Sequence, residues 1–195
     1  MLSLIGVAAL ACSSAFAGLA PDFLNITADG ANYSFNYRAI FTTTNVEERV
    51  EAGNGALTPG VIGSADFFTI YDIVGFVSAS TTNPNWVVST QTLGVTGPNT
   101  SPTDNGSINV TFRYTGPTVT AATTWTPFSI VSTYNSERIG SYTSQRTDNA
   151  GFDANLKIGE VGNTVVPNNP VPEPATMGLM GGALLGLGML ARRRK

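Results

Sequence analysis

The reactive groups this chain can deploy are few, and nearly all are carboxylates. Histidine is absent, the only cysteine is Cys12, and the methionines are Met1, Met177, Met180 and Met189, so everything between the two ends lacks a soft ligand and an imidazole. That excludes disulfides, zinc or copper coordination, haem ligation and a histidine base from the body of the chain. Paired Asp and Glu remain, and they suffice for glycoside hydrolysis, where one carboxyl protonates the leaving group and the other attacks or activates water. Asp72 is the strongest single candidate. It shares strand parity with Phe68, Ile70, Val74 and Phe76, so an undisturbed strand puts its carboxylate on an apolar face, where lost hydration raises a carboxyl pKa. The competing reading is a carboxylate that is hydrogen-bonded or Arg-paired, or turned outward by a bulge. Glu47, Glu48 and Glu51 read as a solvated edge that blocks strand pairing rather than as a site. Asp104-Asn105 and Asp148-Asn149 offer the oxygen ligands calcium takes, but neither has a repeated acidic spacing, and both read as turn chemistry. Trp86 and Trp125 would be stacking platforms for a sugar ring if exposed, against the commoner role of tryptophan as core filling. These residues lead us to expect no catalytic site, no metal and no cofactor.

The two ends of the chain are more specific. Pro172-Glu173-Pro174 is followed by the uncharged run Ala175 to Ala191 and then by Arg192-Arg193-Arg194-Lys195. The 17 uncharged residues would reach about 25 Å as a helix, slightly less than a bilayer's hydrocarbon core. Gly178, Gly182 and Gly186 form a small-residue stripe that could pair two helices, but five glycines in the run also lower its hydrophobicity and suit a temporary anchor. Four consecutive cations mark the unexported side of a membrane, which leaves the body outside. Prolines on both sides of Glu173 remove backbone donors and disfavour helix, so the motif is expected to be extended and accessible.

In order and spacing these three features resemble the PEP-CTERM sorting signal of Gram-negative, exopolysaccharide-producing bacteria. The resemblance implies that exosortase, a membrane transpeptidase-like protease, recognises Pro172, Glu173 and Pro174 and removes the tail, while Arg192 to Lys195 act as the membrane stop. At the other end, Leu2 to Leu10 is apolar, and Ala15-Phe16-Ala17 before Gly18 has the small-x-small pattern of a signal-peptidase site. No Lys or Arg precedes the apolar run, so a positive n-region would have to lie upstream. Cys12 is a poor lipidation site, because Ala9-Leu10-Ala11-Cys12 lacks the usual leucine three residues earlier. The expected organisation is a signal peptide over 1–17, a body domain over 18–162, a linker over 163–171 and the sorting signal over 172–195.

The elements that must position the body's side chains are strands. No 3.6-residue apolar period runs for three turns, whereas Tyr33, Phe35, Tyr37, Ala39 and Phe41 alternate with mostly polar neighbours. Asp66 to Ser78 is apolar on both faces and reads as a central strand bent at Gly75. Trp86 to Ser89 starts another strand. Ile108, Val110, Phe112 and Tyr114 alternate with Asn109, Thr111 and Arg113, which predicts a half-buried strand. Trp125 to Ser132, Gly140 to Ser144 and Phe152 to Val161 complete the set, with Gly, Pro and Asn turns between them. Seven to nine such strands predict an all-β fold, an antiparallel sandwich of immunoglobulin or jelly-roll type.

From Gly18 to Pro172 there are 6 basic and 12 acidic residues, a net charge of -6, and this sparse acidic surface argues against nucleic acid as a partner. The reading that follows is a non-enzymatic, sorted surface or matrix protein. By the resemblance it is structural or adhesive in an exopolysaccharide biofilm or floc, and its processing partners are signal peptidase and exosortase. A carbohydrate-binding module built on Trp86 and Trp125 is the first alternative, and a glycosidase using Asp72 the second.

Overall fold

The computed structural model describes residues 18–43, 47–53, 55–149 and 154–169. Among these residues ten strands run in chain order: β1 (Gly18–Asp29), β2 (Asn32–Thr42), β3 (Glu48–Arg49), β4 (Phe67–Ile73), β5 (Phe76–Thr81), β6 (Trp86–Gln91), β7 (Ile108–Tyr114), β8 (Thr123–Ser132), β9 (Ser136–Asp148) and β10 (Lys157–Asn168). Every pairing is antiparallel, and no helix occurs among the described residues. One sheet has the order β1-β2-β8-β5; the other has β10-β9-β4-β7-β6, with β3 paired to β9.

The two sheets face each other across one aromatic core. Phe35, Tyr37, Ala39 and Phe41 of β2 and Phe128 and Ile130 of β8 meet Phe68 and Ile70 of β4, Val110, Phe112 and Tyr114 of β7, and Trp86 of β6. Alternation does this: successive strand residues point to opposite faces, so every second residue falls on the inside, and here those positions are apolar. The rings contact across the interface, Phe68 against Phe128 at 5.2 Å and Phe112 against Phe128 at 5.1 Å between centroids.

Three expectations change on meeting the structure. The apolar run from Asp66 to Ser78 is not one bent strand. It leaves the larger sheet at Ile73, turns at Val74-Gly75, and re-enters the smaller sheet as β5; Gly75 has φ 63°, a backbone region that side chains resist and glycine does not. Burial of both faces does hold for β4, all seven residues of which are buried.

Second, β7 is covered on both faces rather than half-buried, with Asn109 and Thr111 as inaccessible as Phe112. The outer face of the larger sheet carries a polar layer that the segments around 63–66 and 92–107 close over. Thr69 and Thr111 share a 2.8 Å hydroxyl bond, Tyr71 donates to the Val95 carbonyl at 2.7 Å, and Gln145 donates to the carbonyls of Gly63 and Ala65, each at 2.9 Å.

Third, Asn163 to Asn168 is not linker. This run is the second half of β10 and pairs residue by residue with Ser141 back to Ser136 of β9; Val166 is fully buried, and Tyr37 donates to the Val165 carbonyl at 2.8 Å. The run reads as loop because Asn163, Pro167 and Asn168 break its pattern, but β10 is an edge strand, where a proline costs no ladder bond.

Candidate functional site

Trp86 and Trp125 sit in the core, 3 % and 6 % exposed. They pack edge-to-face at 5.4 Å, and Trp86 also touches Phe68, Tyr114 and Phe128. Neither indole offers a free face on which a sugar could stack, so the platform role expected of an exposed Trp86 or Trp125 is corrected to core filling. The Trp86 Nε1–H finds no acceptor among the described residues, a cost that its packing offsets.

Asp72 does not follow strand parity. It has φ 58°, and the β4–β7 register breaks between Ile70 and Ile73, so a bulge takes the residue off the apolar face. Its carboxylate accepts the Asn105 N–H at 3.0 Å, its own N–H donates to the Asn109 side chain at 2.8 Å, and its carbonyl accepts from Arg138 at 2.6 Å. These are the bonds of a residue that fixes a loop.

Asp104 and Asn105 build that same loop. Asp104 accepts N–H groups of Gly94 at 2.9 Å and Gly106 at 3.0 Å and the Asn109 amide at 3.0 Å, while Asn105 caps Ser107 at 3.0 Å. These bonds outweigh partial burial and hold the Asp104 carboxyl below the usual range. At Asp148-Asn149 the backbone turn is gripped by Arg49, which donates to the Asp148 carbonyl at 2.8 Å and the Asn149 side chain at 3.1 Å.

The most tightly connected charges were not visible as a site in the sequence. Asp66, fully buried, accepts from Lys157 Nζ at 3.0 Å on one carboxylate oxygen and, on the other, from the Thr147 hydroxyl and the Glu51 backbone N–H, each at 2.9 Å. Lys157 also reaches Glu51 at 3.0 Å, and Glu51 accepts from Arg49 at 2.7 Å. Burial pushes the Asp66 carboxyl up to about 6 despite Lys157. For Glu51 the order reverses: burial raises it, but Arg49 and Lys157 together leave it below its usual value. Glu51, expected as part of a solvated edge, thus belongs to a cross-link between the segment before β4 and the strands β9 and β10. The two carboxylates share one ammonium.

A shallow groove of about 270 Å³ lies where β1 meets β9 and β10, lined by Pro21, Phe23, Ile139, Asn163, Thr164 and Val165 among others. It holds one ionisable side chain, Asp22, and that carboxylate is paired with Arg38 at 2.7 Å.

The expected leader with Ala15 and Ala17, and the tail with Pro172, Glu173, Pro174 and Arg192 to Lys195, lie outside the described residues; Gly18 is the first residue of β1. What the fold and the chain's ends define together is an all-β body with a carboxyl-terminal address for sorting. Residues 170–195 match the PEP-CTERM protein-sorting motif. The chain therefore carries the signal of an exosortase substrate, which implies export, processing by an exosortase and membrane-associated sorting to the cell surface. No curated protein matches the chain.

Proposed function

We propose that the chain is a non-enzymatic surface or matrix protein, exported by a cleaved leader, held briefly in the inner membrane by Ala175 to Ala191, and freed from its tail by exosortase. Its body, an antiparallel sandwich, is structural or adhesive within exopolysaccharide. The observation that carries this reading is the sorting motif at 170–195. The absence of histidine and the structural bonds made by Asp66, Asp72 and Asp104 support a body without turnover.

A permanent anchor would be indifferent to a carboxylate just outside the membrane, whereas a processing enzyme must recognise something local. Replacing Pro172-Glu173-Pro174 by three alanines is expected to leave export intact and to trap a full-length form in the inner membrane, read by cell fractionation and intact mass. If that variant reaches the surface with its tail removed as efficiently as wild type, the sorting reading fails.

A further inference from the structure

The amino-terminal end of β1 is built around a carboxylate. Glu160 of β10 points, by its register with Ser144, toward the smaller sheet on the same side as Tyr142, and its carboxylate accepts the Leu19 N–H. A methyl group added to Gly18 would overlap that carboxylate, so Gly18 is the residue type that lets the chain end lie against it. Bond geometry then puts the Gly18 nitrogen within about 5 Å of the Glu160 oxygens.

The other charged groups facing Glu160 are Arg146, which bonds to it directly, and Glu48; Arg146 is shared, since it also reaches Glu48 at 3.8 Å. Among the described residues Tyr142 is a further titratable neighbour, and its phenol is pushed up to about 12 by burial and by Glu160. Burial and the Glu48 charge outweigh Arg146 and raise the Glu160 carboxyl above its usual value. The carboxylate is thus incompletely compensated by its guanidinium.

In the uncleaved chain the Gly18 nitrogen is an amide with one hydrogen, which it donates to the Thr42 hydroxyl at 3.2 Å. Hydrolysis of the Ala17–Gly18 peptide bond adds water across it, leaving a carboxylate on the leader and an amine on Gly18 that takes up a proton. An α-ammonium has three donors and a positive charge where the amide had one donor and none. We propose that leader removal creates an ion pair between the Gly18 α-ammonium and Glu160, which ties β1 to β10 and joins the edges of the two sheets. This rests on the reading that the leader is cleaved after Ala17.

The test uses the full chain, exported with its leader, whose amino terminus is first identified by terminal sequencing and intact mass. The pH dependence of acetylation at the Gly18 nitrogen is then followed by mass spectrometry in wild type and in Glu160→Gln. An ordinary α-amino group titrates near 7.7–8.0. The wild-type midpoint is expected at least about one unit higher, which is a tenfold smaller reactive fraction at neutral pH, with return to the ordinary range in Glu160→Gln. If that variant does not accumulate, the wild type alone decides against a free Gly-Leu-Ala peptide. A mature chain that starts elsewhere overturns both the cleavage reading and the pairing. A chain that starts at Gly18 with an ordinary midpoint overturns the pairing alone.

Discussion

At Asp66 two opposing effects can be weighed. Lys157 stands 3.0 Å away and favours the carboxylate, yet burial dominates and the group titrates near 6 when folded, against an unfolded value of 3.8. The folded chain therefore holds a proton over roughly pH 4 to 6 that the unfolded chain has released. Stability from this group is greatest below the unfolded value and falls as pH rises through the folded one. Glu51 works in the opposite sense, since its folded pKa is lowered and its contribution is lost as pH falls. Asp66→Asn removes the first effect. The stability of wild type relative to Asp66→Asn is expected to decline as pH is raised from about 4 to about 6, measured by urea unfolding, and a difference that stays flat across that window would contradict the assignment. A second comparison concerns β7, where the inner and outer faces are now known to be buried alike. Phe112→Ala removes a ring packed between Phe68 and Phe128 and should cost about 3–5 kcal/mol. Thr111→Ala, which strips hydrogen bonds from Thr69 and Gln91, should cost about 1–3 kcal/mol, rather than the negligible amount a solvent-facing threonine would. Thermal melts that leave Thr111→Ala at wild-type stability would mean that the outer layer is open to water.

Elements declare themselves in this sequence where alternation is clean. Tyr33 to Phe41 lies within β2, and Ile108 to Tyr114 coincides with β7, because aromatic and β-branched residues at every second position can bury only one way. Where one strand stops and the next joins the other sheet was not legible. Gly75 signals a bend, but nothing local says that β4 and β5 belong to different sheets, since that is decided by partners β7 and β8 far along the chain. The same holds for the Asp66–Lys157 pair, whose members are 91 residues apart. β1 was missed because Pro21 and Asp22 interrupt it and a bulge between Phe23 and Asn25 shifts its phase; as an edge strand it tolerates all three. The role of Val166 separates strand from linker. In a linker Val166→Asp would leave the melting curve where it is, whereas a charge placed on a fully buried β10 position should destabilise the body by several kcal/mol. Unchanged unfolding of Val166→Asp would return Asn163 to Asn168 to the linker.

For the molecule as a whole, the extent of β10 fixes how close the body stands to its own sorting signal. The last paired residue is Asn168, opposite Ser136, so only Asn169 to Pro174 separate the folded body from the uncharged run that begins at Ala175. Those 6 residues span at most about 20 Å when fully extended. A domain of this size is wider than that tether is long, so with the tail anchored as proposed above the body must sit close against the membrane surface, and a protease acting at Pro172-Glu173-Pro174 must work in the gap between them. Access then depends on tether length as well as on the motif. Deleting Asn169 and Pro170 leaves the motif and the uncharged run intact but brings the body closer, and should slow tail removal several-fold. Inserting about ten Gly and Ser residues after Asn169 relaxes the constraint and should leave the rate at or above that of wild type. Pulse-chase labelling of precursor and processed forms measures both, with export monitored separately by leader loss. Equal processing rates in the shortened, natural and lengthened chains would show that the enzyme reaches its motif without needing room beneath the body, and that the short tether has no part in sorting.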